Sequence, residues 1–500
     1  METDRRKRVG IFMAFGTQGD VFPIAALAFA FAREKKDYRV AFITHSAHQN
    51  LKVHLGEANV SFSSINSPPT LAMSEESASE EFKNRKTAIS IEQREACLSA
   101  VERTFGDGPC MDGDFILFNY FALEGWSLAE AYHVRCVVAA PYVVPYSSPM
   151  SFSRQFSTLY PALYNCLLNA PAGKVCWKDV MHWMWPLFTE DWGSWRHKNL
   201  NLSSCPLTDP ITGLPALHDW PDSPLLLYGF SANIVERPEY WPKNAHVCGF
   251  WFLPLEWQFS CARCRDSSSF SFEPDASDIK LCRTHSKLQD FLECSNSEKP
   301  VFIGLSSIGS MGFLKDPFAF LRIIELLTAI TNLRFILFTA QYEPLNEAIR
   351  VLSADPTRSS EISSCLFQDR LLCFSGMVPY QWIFRRCAAA IHHGGSGTTA
   401  AALYAGLPQI VCPFIMDQFY WAEKMHWMGV APPPLDRDCL APPSSCAADL
   451  QLSAATVSRS IRFALSPETR SQALKFAQML SSEDGVGEAL DILAKDVCLS

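Results

Sequence analysis

No stretch of about 18 residues in this chain is free of both charges and turn formers, so nothing in it reads as a membrane-spanning helix. Positive charge is also scarce: 43 Lys and Arg stand against 52 Asp and Glu, and the resulting net charge of −9 argues against nucleic acid as the main partner. The basic run Arg5-Arg6-Lys7-Arg8 is short and reads as a solvated terminus, with contact to an anionic membrane face as the alternative. No apolar segment of the kind that makes a secretory leader follows it, and a cytoplasmic protein is expected. The 18 cysteines follow no repeating frame, and several, Cys136 and Cys412 among them, fall in apolar runs. Reduced, buried thiols are therefore expected rather than disulfides. Cys261 and Cys264 form a CxxC, with Cys282 and Cys294 downstream; the second pair is not a CxxC and its surroundings are rich in serine, so no metal is expected.

Apolar residues are abundant. At 500 residues and 48% hydrophobic, the chain can bury two sizeable cores. Residues 1–245 alternate strand-like runs (39–44, 115–120, 135–140, 225–229) with helical segments, the pattern of a parallel sheet covered by helices. Residues 246–300 change character, and the Ser-rich, acidic stretch SSSFSFEPDASD reads as an exposed, mobile insertion. Residues 301–466 resume the α/β pattern, and 467–500 read as closing helices.

The densest local signal is IHHGGSGTTAAALYAGLPQIVCPFIMDQ, Ile391 to Gln418. It reads as an apolar strand, a turn and a helix, a layout suited to phosphate. Gly394, Gly395 and Gly397 allow close backbone approach, Ser396, Thr398 and Thr399 offer hydroxyls, and a helix starting near Thr398 aims free N–H groups at the ligand. His392 and His393 add imidazoles at the strand exit. Asp417 and Gln418 follow the next strand, where a carboxylate and an amide can grip vicinal hydroxyls. Near the other end, Val9 to Phe15 leads through GTQGDVFP into an Ala-rich helix, which puts Asp20 at the carboxyl edge of the first strand. Asp20 reads either as a helix cap or as a working carboxylate.

VPYQWIF (Val378–Phe384), HHGGSGTTAAALYAGLP (His392–Pro408) and PFIMDQFYWAEKMHWMGVAP (Pro413–Pro432) resemble the donor signature of the UDP-dependent glycosyltransferases of family 1, closest to their sterol 3-beta-glucosyltransferase and antibiotic branch. GTQGDVFP resembles that branch's N-terminal motif. The resemblance implies an α/β, GT-B chain: two facing Rossmann-like domains, acceptor lobe first and UDP-sugar lobe second, with the C-terminal helix crossing back to the first. It implies an inverting hexosyltransferase, with glucose favoured, acting on a lipophilic alcohol such as a sterol, with a UDP-sugar as co-substrate and no metal.

By the same resemblance Asp20 is the general base. The donor is held by Gly16, Thr17, Ser307, Ser310, Val378, His392, Gly394, Gly395, Ser396, Gly397, Thr398, Asp417 and Gln418. Family members carry a compact Gly-Ser at the strand exit where this chain has Ser306-Ser307-Ile308-Gly309-Ser310, so either Ser306-Ser307 or Gly309-Ser310 fills that place. A Glu that holds ribose in the plant small-molecule branch is replaced by Ala400. His45 and His48 read as helix caps in preference to cleft residues. Trp382 reads as a core anchor in preference to a ring packed on the loop at Val378 that the resemblance assigns to uracil. The Trp- and Tyr-rich stretch 160–195 reads equally as core or as an apolar acceptor pocket, for which Tyr142, Trp183 and Trp185 are the candidates. Two other readings stay open: a non-catalytic nucleotide- or lipid-binding protein of the same fold, and a transferase acting on a non-sterol small molecule.

Overall fold

The run RVGIFMA becomes strand β1 (Arg8–Ala14), with every residue after Arg8 buried, as suits a strand covered on both faces. It pairs in parallel with β2 (Tyr38–His45) on one side and β4 (Phe115–Phe118) on the other. With β3 (Ser61–Ile65), β5 (Arg135–Ala140), β6 (Leu225–Tyr228) and β7 (Ala245–Val247) it builds a seven-stranded parallel sheet in the order β3-β2-β1-β4-β5-β6-β7. The direction of strand addition reverses between β1 and β4, so their exits flank a switch point, where open α/β sheets leave a crevice. The helix Gln18–Glu34 packs on β1 and β2 through Val21, Ile24, Ala25, Leu27, Ala28 and Phe31.

This is a computed structural model that describes residues 7–71, 80–106, 108, 112–142, 148–259, 261–264, 281–294, 298–353, 363–442 and 445–498. The Ser-rich stretch 267–278 and residues 143–147 lie outside them.

The second sheet contains β8 (Val301–Gly304), β9 (Phe335–Phe338), β10 (Ser363–Leu366), β11 (Leu371–Phe374), β12 (Ala389–His392) and β13 (Gln409–Val411). Its order is β10-β11-β9-β8-β12-β13, with β10 antiparallel to β11 and every other pairing parallel. Here the switch lies between β8 and β12. Their register sets His392 opposite Gly304, which brings the two strand exits side by side.

The chain divides into two compact units, one of Met1–Pro69, Glu76–Phe252 and Glu483–Ser500, the other chiefly Leu253–Ser482. The closing segment 467–500, expected to pack as a whole on the first lobe, is split by this division. The helix Pro467–Leu480 stays with the second unit against the helix Ser396–Tyr404, where Gly406 fits beneath Leu474 and Ala477. Only the helix Gly485–Cys498 joins the first, packing on Gln18–Glu34, and Trp251 Nε1 donates to the Gly485 carbonyl at 3.0 Å. Among the described residues no helix is long and apolar enough to cross a membrane.

Candidate functional site

In the first unit the site starts at the β1 exit. Gly16 has φ +105°, and an added Cβ would lie 2.6 Å from Asp20 Oδ2. That conformation and that proximity together demand glycine. Thr17 caps the helix Gln18–Glu34, and Asp20 closes a capping box: its Oδ2 accepts from the Thr17 amide at 2.7 Å and from the Thr17 hydroxyl at 2.8 Å. Capping is thus one task of Asp20. Both bonds go to the same oxygen, and Oδ1 accepts nothing among the described residues. Burial raises the Asp20 pKa to about 6, against the opposing pull of the Thr17 bonds. Thermal unfolding is expected to show Gly16→Ala costing about 1–2 kcal/mol for its left-handed backbone. Part of the total loss should disappear in an Asp20→Ala background, because the clashing carboxylate is gone.

Two further side chains hold this loop. Asn119, at the β4 exit and fully buried, accepts from the Phe15 N–H at 3.2 Å and donates Nδ2 to the carbonyls of Phe15 (2.9 Å) and Asp20 (3.2 Å). It ties the two switch strands together. The sequence reading missed it, although a polar residue directly after the apolar run FILF was the available signal. His48 and His45, expected as helix caps, do other work. His48 Nε2 donates to the Gly16 carbonyl at 2.9 Å, while His45 Nδ1 meets Ser67 Oγ at 2.9 Å and its ring lies 4.7 Å from Phe15. Burial lowers both pKa values, that of His45 to about 4, so both are neutral at pH 7.

In the second unit, β12 ends at His392 and the helix Ser396–Tyr404 begins with Gly395 as its N-cap. Among the described residues no side chain caps this end, so the amides of its first turn stand at a positive dipole end. Gly394 has φ +87°, and a Cβ there would lie 2.7 Å from Val411 Cγ1 and 3.0 Å from the Gln418 carbonyl. It therefore serves close packing of the turn against the β13 exit, beyond the approach to an anion that the sequence suggests. Gly397 alone of the three turn glycines opens onto space, with no described residue within 4 Å of its Cβ position.

His392 is fully buried: Nε2 donates to Gln409 Oε1 at 2.9 Å, and Nδ1 accepts from the Gly394 N–H at 3.1 Å. Burial holds its pKa at about 4. With both nitrogens spent, His392 shapes the turn, and a direct phosphate contact requires it to give up one bond. His393 is the imidazole with an unspent atom. Its Nδ1 is buried without a partner among the described residues, and burial lowers its pKa to about 3.

Ser306-Ser307 sits at the β8 exit in a tight turn, whereas Gly309 is wedged under the Tyr342 ring and the exposed Ser310 donates its hydroxyl to the Ser307 carbonyl at 2.9 Å. Val378 is buried just before Pro379 caps the helix Tyr380–Phe384, and Trp382 is fully buried with Arg386 4.3 Å over its ring. Asp417 Oδ2 accepts from Trp421 Nε1 at 3.2 Å. Gln418 Oε1 accepts from the amides of Phe414 (2.9 Å) and Ile415 (3.1 Å), which leaves its NH2 as the group to offer a ligand.

In the aromatic stretch Trp183, Trp192 and Trp195 are core, whereas Tyr160, Tyr164, Trp177, Trp185 and Phe188 are partly buried. Trp183 is 1% exposed, with Trp126 at 5.8 Å and Phe118 at 6.2 Å, so packing is its role in preference to lining an open pocket. Trp185 is half-buried beside Phe152, and Tyr142 is buried 6.0 Å from Tyr120. A π-helical turn over Val180–Met184 sets His182 Nε2 2.6 Å from the Tyr228 hydroxyl, itself 2.9 Å from that of Tyr120. This polar thread through an aromatic cluster was not foreseen. A cavity of about 590 Å³ in this unit is lined by Ser46, Gln49, Ser67, Pro68, Arg85 and Ile89 among others, and by none of the three aromatic candidates.

Residues 360–453 match the family described as Erythromycin biosynthesis protein CIII-like, C-terminal domain. The sterol 3-beta-glucosyltransferase UGT80B1 of Arabidopsis thaliana is 29% identical over 314 residues, which cover 63% of this chain and 40% of that protein. A sterol 3-beta-glucosyltransferase of Emericella nidulans is 24% identical over 494 residues, 97% of this chain and 30% of its own length. The chain thus spans well under half the length of these curated relatives. The solved structure of the glycotransferase of kitacinnamycin superposes over 98% of this chain and 100% of its own with a TM-score of 0.57 at 13% identity, a likeness of fold.

Proposed function

Proceeding from a chain that belongs with the family 1 GT-B glycosyltransferases of the sterol and antibiotic branch, we propose that it moves a hexose, with glucose favoured, from a UDP-sugar to a hydroxyl of a lipophilic acceptor such as a sterol, with inversion. The observation that carries this reading is the uncapped N-terminus of the helix Ser396–Tyr404, beside the switch point of the second sheet and open at Gly397. Amides of that turn and the hydroxyls of Ser396 and Thr398 hold the diphosphate and meet the charge that develops as the sugar leaves. Ser307 and Ser310 flank it from the β8 exit, Val378 borders the base, and Asp417 with the Gln418 amide takes sugar hydroxyls. With this charge met by amides and hydroxyls, we assign no step to a metal.

The acceptor alcohol is a poor nucleophile at neutral pH. Asp20, through its uncommitted Oδ1, takes the hydroxyl proton while the oxygen bonds to the anomeric carbon and the bond from that carbon to the UDP oxygen breaks. Gly16 and Thr17 fix the carboxylate in place. His392 acts by holding Gly394 and thereby the turn. Sixteen cysteines of the described residues stand outside any disulfide, which supports a reducing, cytoplasmic setting; a lipophilic acceptor makes peripheral membrane contact part of the proposal.

The test is release of UDP from UDP-glucose by the purified protein with a panel of sterols and smaller lipophilic alcohols, with the product's anomeric configuration read by NMR. Acceptor-dependent release with a β-glucoside is expected. UDP-glucose binding without release across the panel shifts weight to a non-catalytic binding protein. Absence of binding removes the donor site from the account.

A further inference from the structure

Three thiols and one imidazole converge in the second unit, away from the residues assigned above. Cys261 and Cys264 come from one turn, and Cys282 and His285 from another, 18 residues further on from Cys264. Their ligand atoms all lie within 4.8 Å of one another. Cys261 Sγ is 3.7 Å from Cys282 Sγ; His285 Nδ1 is 3.2 Å from Cys264 Sγ and 3.4 Å from Cys282 Sγ. A disulfide needs sulfurs at about 2.05 Å. A tetrahedron with metal–sulfur bonds near 2.3 Å and metal–nitrogen bonds near 2.0–2.1 Å has edges of about 3.8 Å between sulfurs and about 3.5 Å between sulfur and nitrogen.

From this we infer a structural zinc site formed by Cys261, Cys264, Cys282 and His285 through Nδ1. The spacing is CxxC followed by CxxH. The expectation of no metal looked for a second CxxC, paired Cys282 with Cys294, and passed over the histidine three residues on from Cys282. Cys294 is exposed and not part of the cluster.

The surroundings fit the assignment. The Cys282 amide points at Cys264 Sγ at 3.4 Å, the N–H to sulfur contact that steadies a ligating thiolate. His285 is buried, its ring 5.6 Å from Phe374 of β11, and its helix Ser286–Leu292 packs on that strand. Three thiolates and a neutral imidazole are a soft, closed set with no open position, which suits a structural ion in preference to a catalytic one. Arg263 and Arg283 each adjoin a ligand in sequence and oppose the complex's single net negative charge. The ion clamps the two turns together, and His285 with its helix anchors them on the second sheet. The role is independent of the transfer reading.

The experiment measures zinc in the full chain purified from zinc-supplemented cells under reducing conditions without a polyhistidine tag, after dialysis, by elemental analysis. One zinc per chain is expected, along with tetrahedral cobalt d–d bands and thiolate charge-transfer bands when cobalt replaces it. Cys264→Ser and His285→Ala should lose the ion and lower Tm, while Cys294→Ser keeps both. Substoichiometric metal with Cys261, Cys264 and Cys282 all readily alkylated, or a Cys294→Ser loss equal to that of Cys264→Ser, overturns the site. If the ligand variants do not accumulate, the metal content and cobalt spectrum of the wild-type chain decide alone.

Discussion

Asp20→Asn is expected to lower kcat by roughly 10²–10⁴-fold, the usual worth of a positioned general base, while leaving the fold intact. Asparagine keeps an oxygen that can accept from the Thr17 amide, so the helix Gln18–Glu34 stays closed, but it takes no proton. Wild-type kcat/KM should rise with pH through about 6, where burial places the carboxylate, and that limb should vanish in the variant's residual rate. Stability follows the opposite course. The folded carboxylate keeps its proton up to about pH 6 whereas the unfolded one releases it near 3.8, so folding is favoured as pH falls through that window and is penalised by a buried charge above it. At pH 7.5 the Asn variant should therefore match or exceed the wild type in Tm. Retention of more than a tenth of the wild-type rate would leave Asp20 as a cap alone.

Gly394→Ala is expected to damage the donor side most. The new methyl meets Val411 Cγ1 at 2.7 Å and the Gln418 carbonyl at 3.0 Å, at φ +87°. Overpacking and left-handed backbone strain together amount to about 2–4 kcal/mol. Part of this falls on the turn itself, so the helix end and the β13 exit move apart. Calorimetry should show UDP binding weakened at least tenfold, and urea unfolding should show a lower midpoint. Val411→Ala should restore part of the stability, since the side-chain clash is relieved, but little of the binding, since the contact with the Gln418 backbone remains. Unchanged UDP affinity in Gly394→Ala would separate this turn from the donor.

The turn chemistry was legible because local pattern dictates it. Apolar strand, glycines, hydroxyls and an Ala-rich helix can adopt few arrangements, and the core role of Trp382 followed from its place in VPYQWIF. Partners distant in sequence were not legible. Gln409 claims Nε2 of His392 from 17 residues away, so the imidazole that seemed ready for phosphate is internally engaged. Asn119 reaches Phe15 across 104 residues, and His48 reaches Gly16 across 32. By composition Trp183 read equally as core or as pocket lining, and burial made it core.

By itself the sequence determined the two α/β lobes, the Gly-rich turns at the first strand of one lobe and the fifth of the other, and the residue types gathered there, because strand and helix periodicity and glycine's backbone freedom act over a few residues. Tertiary structure alone decided which polar atoms remain available: Asp20 Oδ1 and the open turn at Gly397 do, whereas both nitrogens of His392 and the side-chain oxygen of Gln418 do not. It also decided that Cys282 joins His285, not Cys294, beside the CxxC. The reason is that a buried polar atom must find a partner wherever the fold brings one, and sequence separation does not record that distance.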